Sequence, residues 1–199
     1  MKILIAEDQS MVLGALSALL EMENDLDVIG TAEDGLTALN LAQKQSIDIV
    51  LTDIEMPKMT GIELAQELQK TGNSAKVMIL TTFARAGYLR RAMEAGVKGY
   101  LLKDAPSNSL ADAVRKIHTG RIIVEPELVT DAWAVEDPLT DNERKVLRLS
   151  QEGHSTKEIA ELIFLSAGTV RNYLSEATSK LGAKNRIEAA RIAKHKGWL

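Results

Sequence analysis

At 199 residues, with 45% apolar and 26% charged side chains spread along its length, the chain can bury an ordinary core in one large domain or two small ones and does not read as disordered. It has no cysteine, which excludes disulfides and thiolate metal sites and fits a reducing compartment, so the cytoplasm is the expected location. The net charge of -4 divides unevenly: residues 138–199 carry 11 Lys+Arg against 7 Asp+Glu, a net of +4 that suggests a polyanion partner, and residues 1–137 carry a net of -8.

The first apolar run, residues 2–6, meets Glu7 and Asp8 at once, so it is neither a signal-peptide core nor part of a membrane span of about 20 residues. It reads instead as the first of five strands, followed by residues 27–31, 47–52, 76–81 and 99–102. Amphipathic helical patterns at 11–22 and 35–44, and three more helices starting near Gly61, Gly87 and Ser107, separate them. The near-continuous apolar runs around Ile49 and Ile79 suit central strands covered on both faces, and the alternation predicts a doubly wound five-stranded parallel sheet over residues 1–118. After Gly120 the alternation stops. Residues 119–137 read as a linker, with Trp133 either docked on a domain surface or partly exposed. From Pro138 to the end every element is helical. Thr140-x-x-Glu143, Ser155-x-x-Glu158 and Asn185-x-x-Glu188 each have the spacing of a capping box, and Ser166 can cap a further helix.

Glu7 and Asp8 follow the first strand and Asp53 the third, at the carboxyl edge where open α/β sheets bind ligands. Three carboxylates within ~5 Å would repel by roughly 3 kcal/mol per pair at an effective dielectric of 20. A divalent cation relieves this, and an oxygen-only site with open positions suits Mg2+. Taken singly, acidic residues at strand ends also serve as helix caps or solvated loop residues. Thr81 and Lys103, ending the fourth and fifth strands on the same rim, complete a set suited to a phosphoryl group. A carboxylate nucleophile there forms an acyl phosphate whose oxygens an ammonium and a hydroxyl contact.

Glu7-Asp8, Asp53 in DIEMP, Thr81 in ILTTFA and Lys103 in GVKGYLLKD together resemble a response-regulator receiver domain over residues 1 to about 120. The resemblance implies that Asp53 is the phosphoacceptor, that Asp8, Asp53 and the Glu55 carbonyl ligate Mg2+ with support from Glu7, and that Thr81 and Tyr100 form the switch pair. In that family the aromatic ring turns inward on activation, so a resting Tyr100 is expected to be half-buried. Glu55 and Phe83, two residues beyond Asp53 and Thr81, are expected to flank the phosphate.

In the C-terminal part, Val170, Leu174, Ala177 and Leu181 recur at helical spacing and face a core, so Arg171, Asn172, Ser175 and Ser179 point elsewhere. A preceding helix from Thr156 to about Ile163 and the turn Phe164-Leu165-Ser166 make a helix-turn-helix. An outward Arg, Asn and Ser set is either a solvated face or a reader of base edges. PLTDNERKVLRL, STKEIAELI, SAGTVRNYL and LGAKNRIEAA resemble the LuxR-type DNA-binding domain over nearly all of 138–199, and receiver plus this domain is the NarL/FixJ architecture. The resemblance implies base contacts from Arg171, Asn172 and Ser175 and phosphate contacts from Thr169, Lys180, Lys184 and Arg186. It also implies a sensor histidine kinase as phosphodonor, dimerisation on activation, double-stranded DNA as partner, and no catalysis beyond Mg2+-dependent self-phosphorylation and autodephosphorylation. Local strings such as TTFAR, VKGYLLKDAPS and GTVRNY are most similar to the DesR subgroup, whose regulators respond to membrane state.

Two alternatives stand beside this reading. A Mg2+-dependent hydrolase or phosphotransferase with Asp53 as nucleophile is disfavoured, because Glu55 stands where the usual Asp-x-Asp form places its general acid and no further domain remains to shape a substrate pocket. Neither GxGxxG nor GxxxxGK[ST] occurs, and His118, His154 and His195 are too scattered for a triad. A constitutive DNA-binding protein with an inert receiver scaffold is the other; the intact set of Glu7, Asp8, Asp53, Thr81 and Lys103 argues against it.

Overall fold

The computed structural model describes residues 1–82, 85–104, 106–125, 129 and 137–199, with only the backbone of Ala86, Ser107 and Asn108. Phe83 and Trp133 lie outside the described residues. The chain divides into two compact units, the larger made of Met1–Ala84 with Leu89–Thr130 and the smaller chiefly of Asp131–Leu199.

In the larger unit, β1 (Lys2–Ala6), β2 (Asp27–Ala32), β3 (Ile49–Thr52), β4 (Lys76–Thr81), β5 (Gly99–Leu102) and β6 (Ile123–Val124) form one sheet in the order β2-β1-β3-β4-β5-β6. Every pairing is parallel. All four residues of β3, and the last five of the six in β4, are buried, as strands covered on both faces must be. The covering helices are α1 (Ser10–Glu21), α2 (Gly35–Lys44), α3 (Gly61–Lys70), α4 (Ala86–Glu94) and α5 (Ser107–His118). On one face Ile3, Ile5, Ile49, Leu51 and Met78 pack with Leu20, Leu110, Val114 and Ile117 into a single apolar cluster.

The sheet corrects the expected count of five strands. Ile123 and Val124 pair with Gly99 and Tyr100, and the Ile123 N–H donates to the Lys98 carbonyl at 2.9 Å. A two-residue strand is too short to register as periodicity, but it covers part of an edge that β5 would otherwise leave unpaired. The sheet therefore reaches into the stretch expected to be linker. Other boundaries differ by one or two residues: β3 begins at Ile49 rather than at 47, and α1 runs from Ser10 rather than from 11.

In the smaller unit, α6 (Asp141–Gln151), α7 (Thr156–Leu162), α8 (Ala167–Lys180) and α9 (Arg186–Lys196) enclose Val146, Leu147, Ile159, Val170, Leu174, Ala177, Ala189 and Ala193. Capping follows the sequence at three starts: Thr140 with Glu143 and Ser155 with Glu158 form closed boxes, and Ser166 accepts the Thr169 N–H. The fourth differs. Asn185 accepts from the N–H groups of Ile187 and Glu188, but the Glu188 carboxylate takes the Lys184 N–H at 2.7 Å, so this box stays open. The turn between α7 and α8 runs through Phe164, at φ 55° and 93% exposed, and Leu165, whose N–H donates to the Ala160 carbonyl. These two helices and their turn have the expected helix-turn-helix form.

Candidate functional site

Strand order determines where the carboxylates meet. β1 pairs β2 on one side and β3 on the other, so the chain reverses direction across the sheet between β1 and β3, and the crevice there opens at the carboxyl edge. Ala6 lies beside Thr52, which brings Glu7 and Asp8 next to Asp53, and the Asp53 N–H donates to the Ala6 carbonyl at 2.9 Å. One ligand oxygen from each of Glu7, Asp8 and Asp53 lies within 4.8 Å of the others. Glu7 and Asp53 are buried, at 1% and 4% exposed, and Asp8 is open to solvent.

Lys103 follows β5 and reaches across this crevice. Its Nζ is 2.7 Å from Glu7 Oε2 and 2.9 Å from Asp53 Oδ2. Asp53 Oδ1 accepts the Ile54 N–H at 2.6 Å, and Glu7 Oε1 accepts the Gln9 N–H at 3.3 Å. Burial raises the Glu7 carboxyl above the ordinary range; the Lys103 hydrogen bond opposes this and the neighbouring Asp53 charge adds to it. For Lys103, burial lowers the pKa, but the hydrogen bonds to Glu7 and Asp53 and their charges outweigh it, so the ammonium is held more firmly than usual. The site thus has more carboxylates than the Lys103 ammonium neutralises, and hard oxygen donors of this kind fit Mg2+.

Thr81 ends β4 on the same rim, wholly buried, and its carbonyl accepts the Lys103 N–H at 2.8 Å. Tyr100 lies in β5 beside Ile79 and is 0% exposed, where a half-buried ring was expected. Glu55 stands half-buried in the loop from β3 to α3.

Two supports of this loop were not anticipated. Gly61 opens α3 so close to Asp53 that an added Cβ would fall 1.9 Å from the Asp53 carbonyl oxygen, so only glycine fits. Lys58 takes φ 63° and its Nζ reaches Asp34 Oδ2 at 2.6 Å, while Asp34 also caps α2 through the Thr37 N–H. The Met-Pro-Lys string signals a turn, but nothing in it names the distant carboxylate.

On α8, Arg171, Asn172 and Ser175 are exposed while Val170, Leu174 and Ala177 are buried, as the spacing predicts. Thr169 is half-buried and its hydroxyl lies 2.9 Å from the Ser166 hydroxyl. Lys184 and Arg186 are exposed in and after the turn to α9. Lys180 is already engaged, 2.8 Å from the buried Glu143.

The comparisons with known proteins agree with both units. Residues 3–115 match the response regulator receiver domain, and residues 137–193 match the bacterial regulatory proteins of the luxR family. The chain is a LuxR-type response regulator of the NarL/FixJ class. This response regulator is 52% identical over 196 residues to the transcriptional regulatory protein DesR of Bacillus subtilis, covering 98% of each chain. It is 51% identical over 198 residues to YvfU of the same organism, covering 100% of this chain and 99% of that one. The resemblance to DesR holds across the full length, but overall identity does not separate it from YvfU. Among solved structures, RcsB of Salmonella enterica serovar Typhimurium, bound to a promoter with a BeF3- phosphomimetic, aligns with a TM-score of 0.74 at 26% identity over 98% of both chains. ChrA, from a heme-sensing two-component system, aligns at 0.58 and 34% identity, covering 100% of this chain and 98% of that one. The chain is therefore a receiver joined to a DNA-binding domain, a regulator rather than a substrate-processing enzyme, and no helix among the described residues is long and apolar enough to cross a membrane.

Proposed function

We propose that a sensor histidine kinase phosphorylates Asp53 and that the modified protein dimerises and binds operator DNA, in the cytoplasm. The observation that carries this reading is the Asp53 carboxylate at the carboxyl edge of β3, hydrogen-bonded to Lys103 and with Glu7 and Asp8 close by. A carboxylate oxygen of Asp53 attacks the phosphorus, the new O–P bond forms, and the P–N bond to the donor imidazole breaks with the electron pair leaving on nitrogen. Lys103, already between Glu7 and Asp53, turns its ammonium to a phosphoryl oxygen, and the Thr81 hydroxyl donates to another. Glu7, Asp8 and Asp53, with the Glu55 carbonyl, would hold Mg2+. Bound there, the ion supplies positive charge to the transferring phosphoryl group. Thr81 and Tyr100 act as the switch pair that carries the change to the surface.

Arg171, Asn172 and Ser175 face base edges, where a bidentate Arg or Asn contact contributes roughly 1–3 kcal/mol of discrimination. Thr169, Lys184 and Arg186 hold phosphates at the margins; Lys180, assigned with them on family resemblance, is already paired with Glu143. Moving a two-state population from 1:99 to 99:1 takes about 5.5 kcal/mol of differential stabilisation, which a dianion held by Lys103, Thr81 and the metal can supply.

Treatment with acetyl phosphate and Mg2+ should add one acid-labile phosphate to wild type and none to Asp53→Asn. Equal labelling of the two proteins removes Asp53 from the reading. Sedimentation before and after labelling should show a monomer becoming a dimer, and a monomer in both states removes the dimerisation step. DNA affinity that does not respond to labelling would favour the inert-scaffold alternative.

A further inference from the structure

Glu143 lies in the first turn of α6 and is 1% exposed. One carboxylate oxygen accepts the Thr140 N–H at 2.8 Å, closing the capping box, and the Lys180 ammonium lies 2.8 Å from both oxygens. Lys180 is the last residue of α8, where a cation also complements the helix dipole. The pair therefore joins the C-terminal end of α8 to the capped start of α6. Burial alone would raise the Glu143 carboxyl; the hydrogen bonds from Lys180 and Thr140 outweigh it and hold it below the ordinary glutamate range.

Two observations set Lys180 apart from the other cations assigned to phosphates. All three are exposed, but Lys184 and Arg186 have no ion pair among the described residues, whereas a Lys180 that swung to a phosphate would leave the buried Glu143 carboxylate without its cation. Nine residues separate Arg171 from Lys180, so the two project about 180° apart around α8. We infer that Lys180 is a positioning residue of DNA recognition: it holds α8 against α6 through Glu143 and makes no phosphate contact. The inference rests on the proposed reading of α8 as the DNA-recognition helix.

The two roles differ in salt dependence. The full chain, carrying a fluoroberyllate phosphoryl mimic, is titrated against a duplex from the gene's own upstream region over roughly 50 to 200 mM salt, where each lost phosphate contact flattens the log-log slope by about 0.9. Lys180→Met is expected to weaken binding about tenfold at every salt concentration with the slope unchanged. Glu143→Gln keeps the Thr140 hydrogen bond and should weaken binding as well, and the double variant should be no weaker than the worse single one, because both break the same pair. Lys180→Arg should restore affinity.

Flattening of the slope by about 0.9 in Lys180→Met, with Glu143→Gln at or above wild-type affinity, would overturn the inference. So would wild-type affinity in both variants. Should Lys180→Met fail to fold, Glu143→Gln decides alone, since freeing Lys180 weakens binding under one role and not under the other. Lys184→Met and Arg186→Met test the underlying reading separately: if neither flattens the slope, α8 and its flank are not the DNA face, and the role assigned to Lys180 falls with them.

Discussion

Arg115 shows how much a single side chain can organise. From α5 it reaches the turn after α1, where its guanidinium contacts Asp25 Oδ1 and Oδ2 at 2.7 and 2.9 Å and Glu23 at 2.6 Å. The Arg115 hydrogen bonds hold the Asp25 carboxyl at about 2, well below the ordinary aspartate range. Because the folded value is the lower one, the stabilisation is complete above the unfolded value and is lost as pH falls through about 2. Asp25→Asn should therefore lower Tm at neutral pH, and its gap from wild type should close between about pH 4 and pH 2. Asp25 is exposed and Arg115 is only half-buried, so the gap at neutral pH should be small. Calorimetry across that range checks it, and a gap independent of pH would mean that Asp25 does not sense Arg115. The rim positions of Asp53, Thr81 and Lys103 were legible at this scale because each ends or directly follows a strand whose apolar run is easy to place. The contact of Arg115 with Asp25 was not, since 90 residues separate them and neither lies in a recognisable motif.

Elements were legible where local chemistry decides them. Thr140 and Ser155 announce helix starts because a hydroxyl and a carboxylate three residues apart satisfy two backbone N–H groups without help from the rest of the fold. Asn185 has the same spacing, but Lys184 competes for Glu188, and no pattern of residue types reveals which N–H wins. Asn185 still accepts two N–H groups at 3.0 Å, so the cap itself survives. Asn185→Ala should cost the C-terminal unit about 1 kcal/mol, read from its urea transition, whereas Asn185→Gly should cost only a few tenths. Equal losses in the two would show that the side-chain cap does not matter. β6 escaped notice for the opposite reason: two residues hold no periodic signal, and their strand exists only because β5 has an open edge beside them.

At the scale of the whole molecule, the two units carry opposite charge and separate cores, so each should respond to its own ligand. If Glu7, Asp8 and Asp53 hold Mg2+, the ion at about 100 times its Kd should stabilise the N-terminal unit by about 2.7 kcal/mol and leave the C-terminal transition in place. A chelator should reverse the gain, and Asp8→Asn should remove most of it. Differential scanning calorimetry resolves the two transitions; an equal shift of both, or none in wild type, counts against the site.

By itself the sequence determined the two-part architecture, the parallel sheet, the helix-turn-helix and the rim residues. These depend on apolar periodicity, turn residues and caps, all of them interactions within a few residues of chain. Tertiary structure decided that Lys103 bridges Glu7 and Asp53, that Tyr100 is wholly buried, that Gly61 must lack a side chain beside the Asp53 carbonyl, and that Lys180 belongs to Glu143. Each of these depends on which distant groups share a space too small or too dry to leave them apart. Burial of the Glu7, Asp53 and Glu143 carboxylates is what ties each to a neighbouring cation, and burial is a property of the packed molecule.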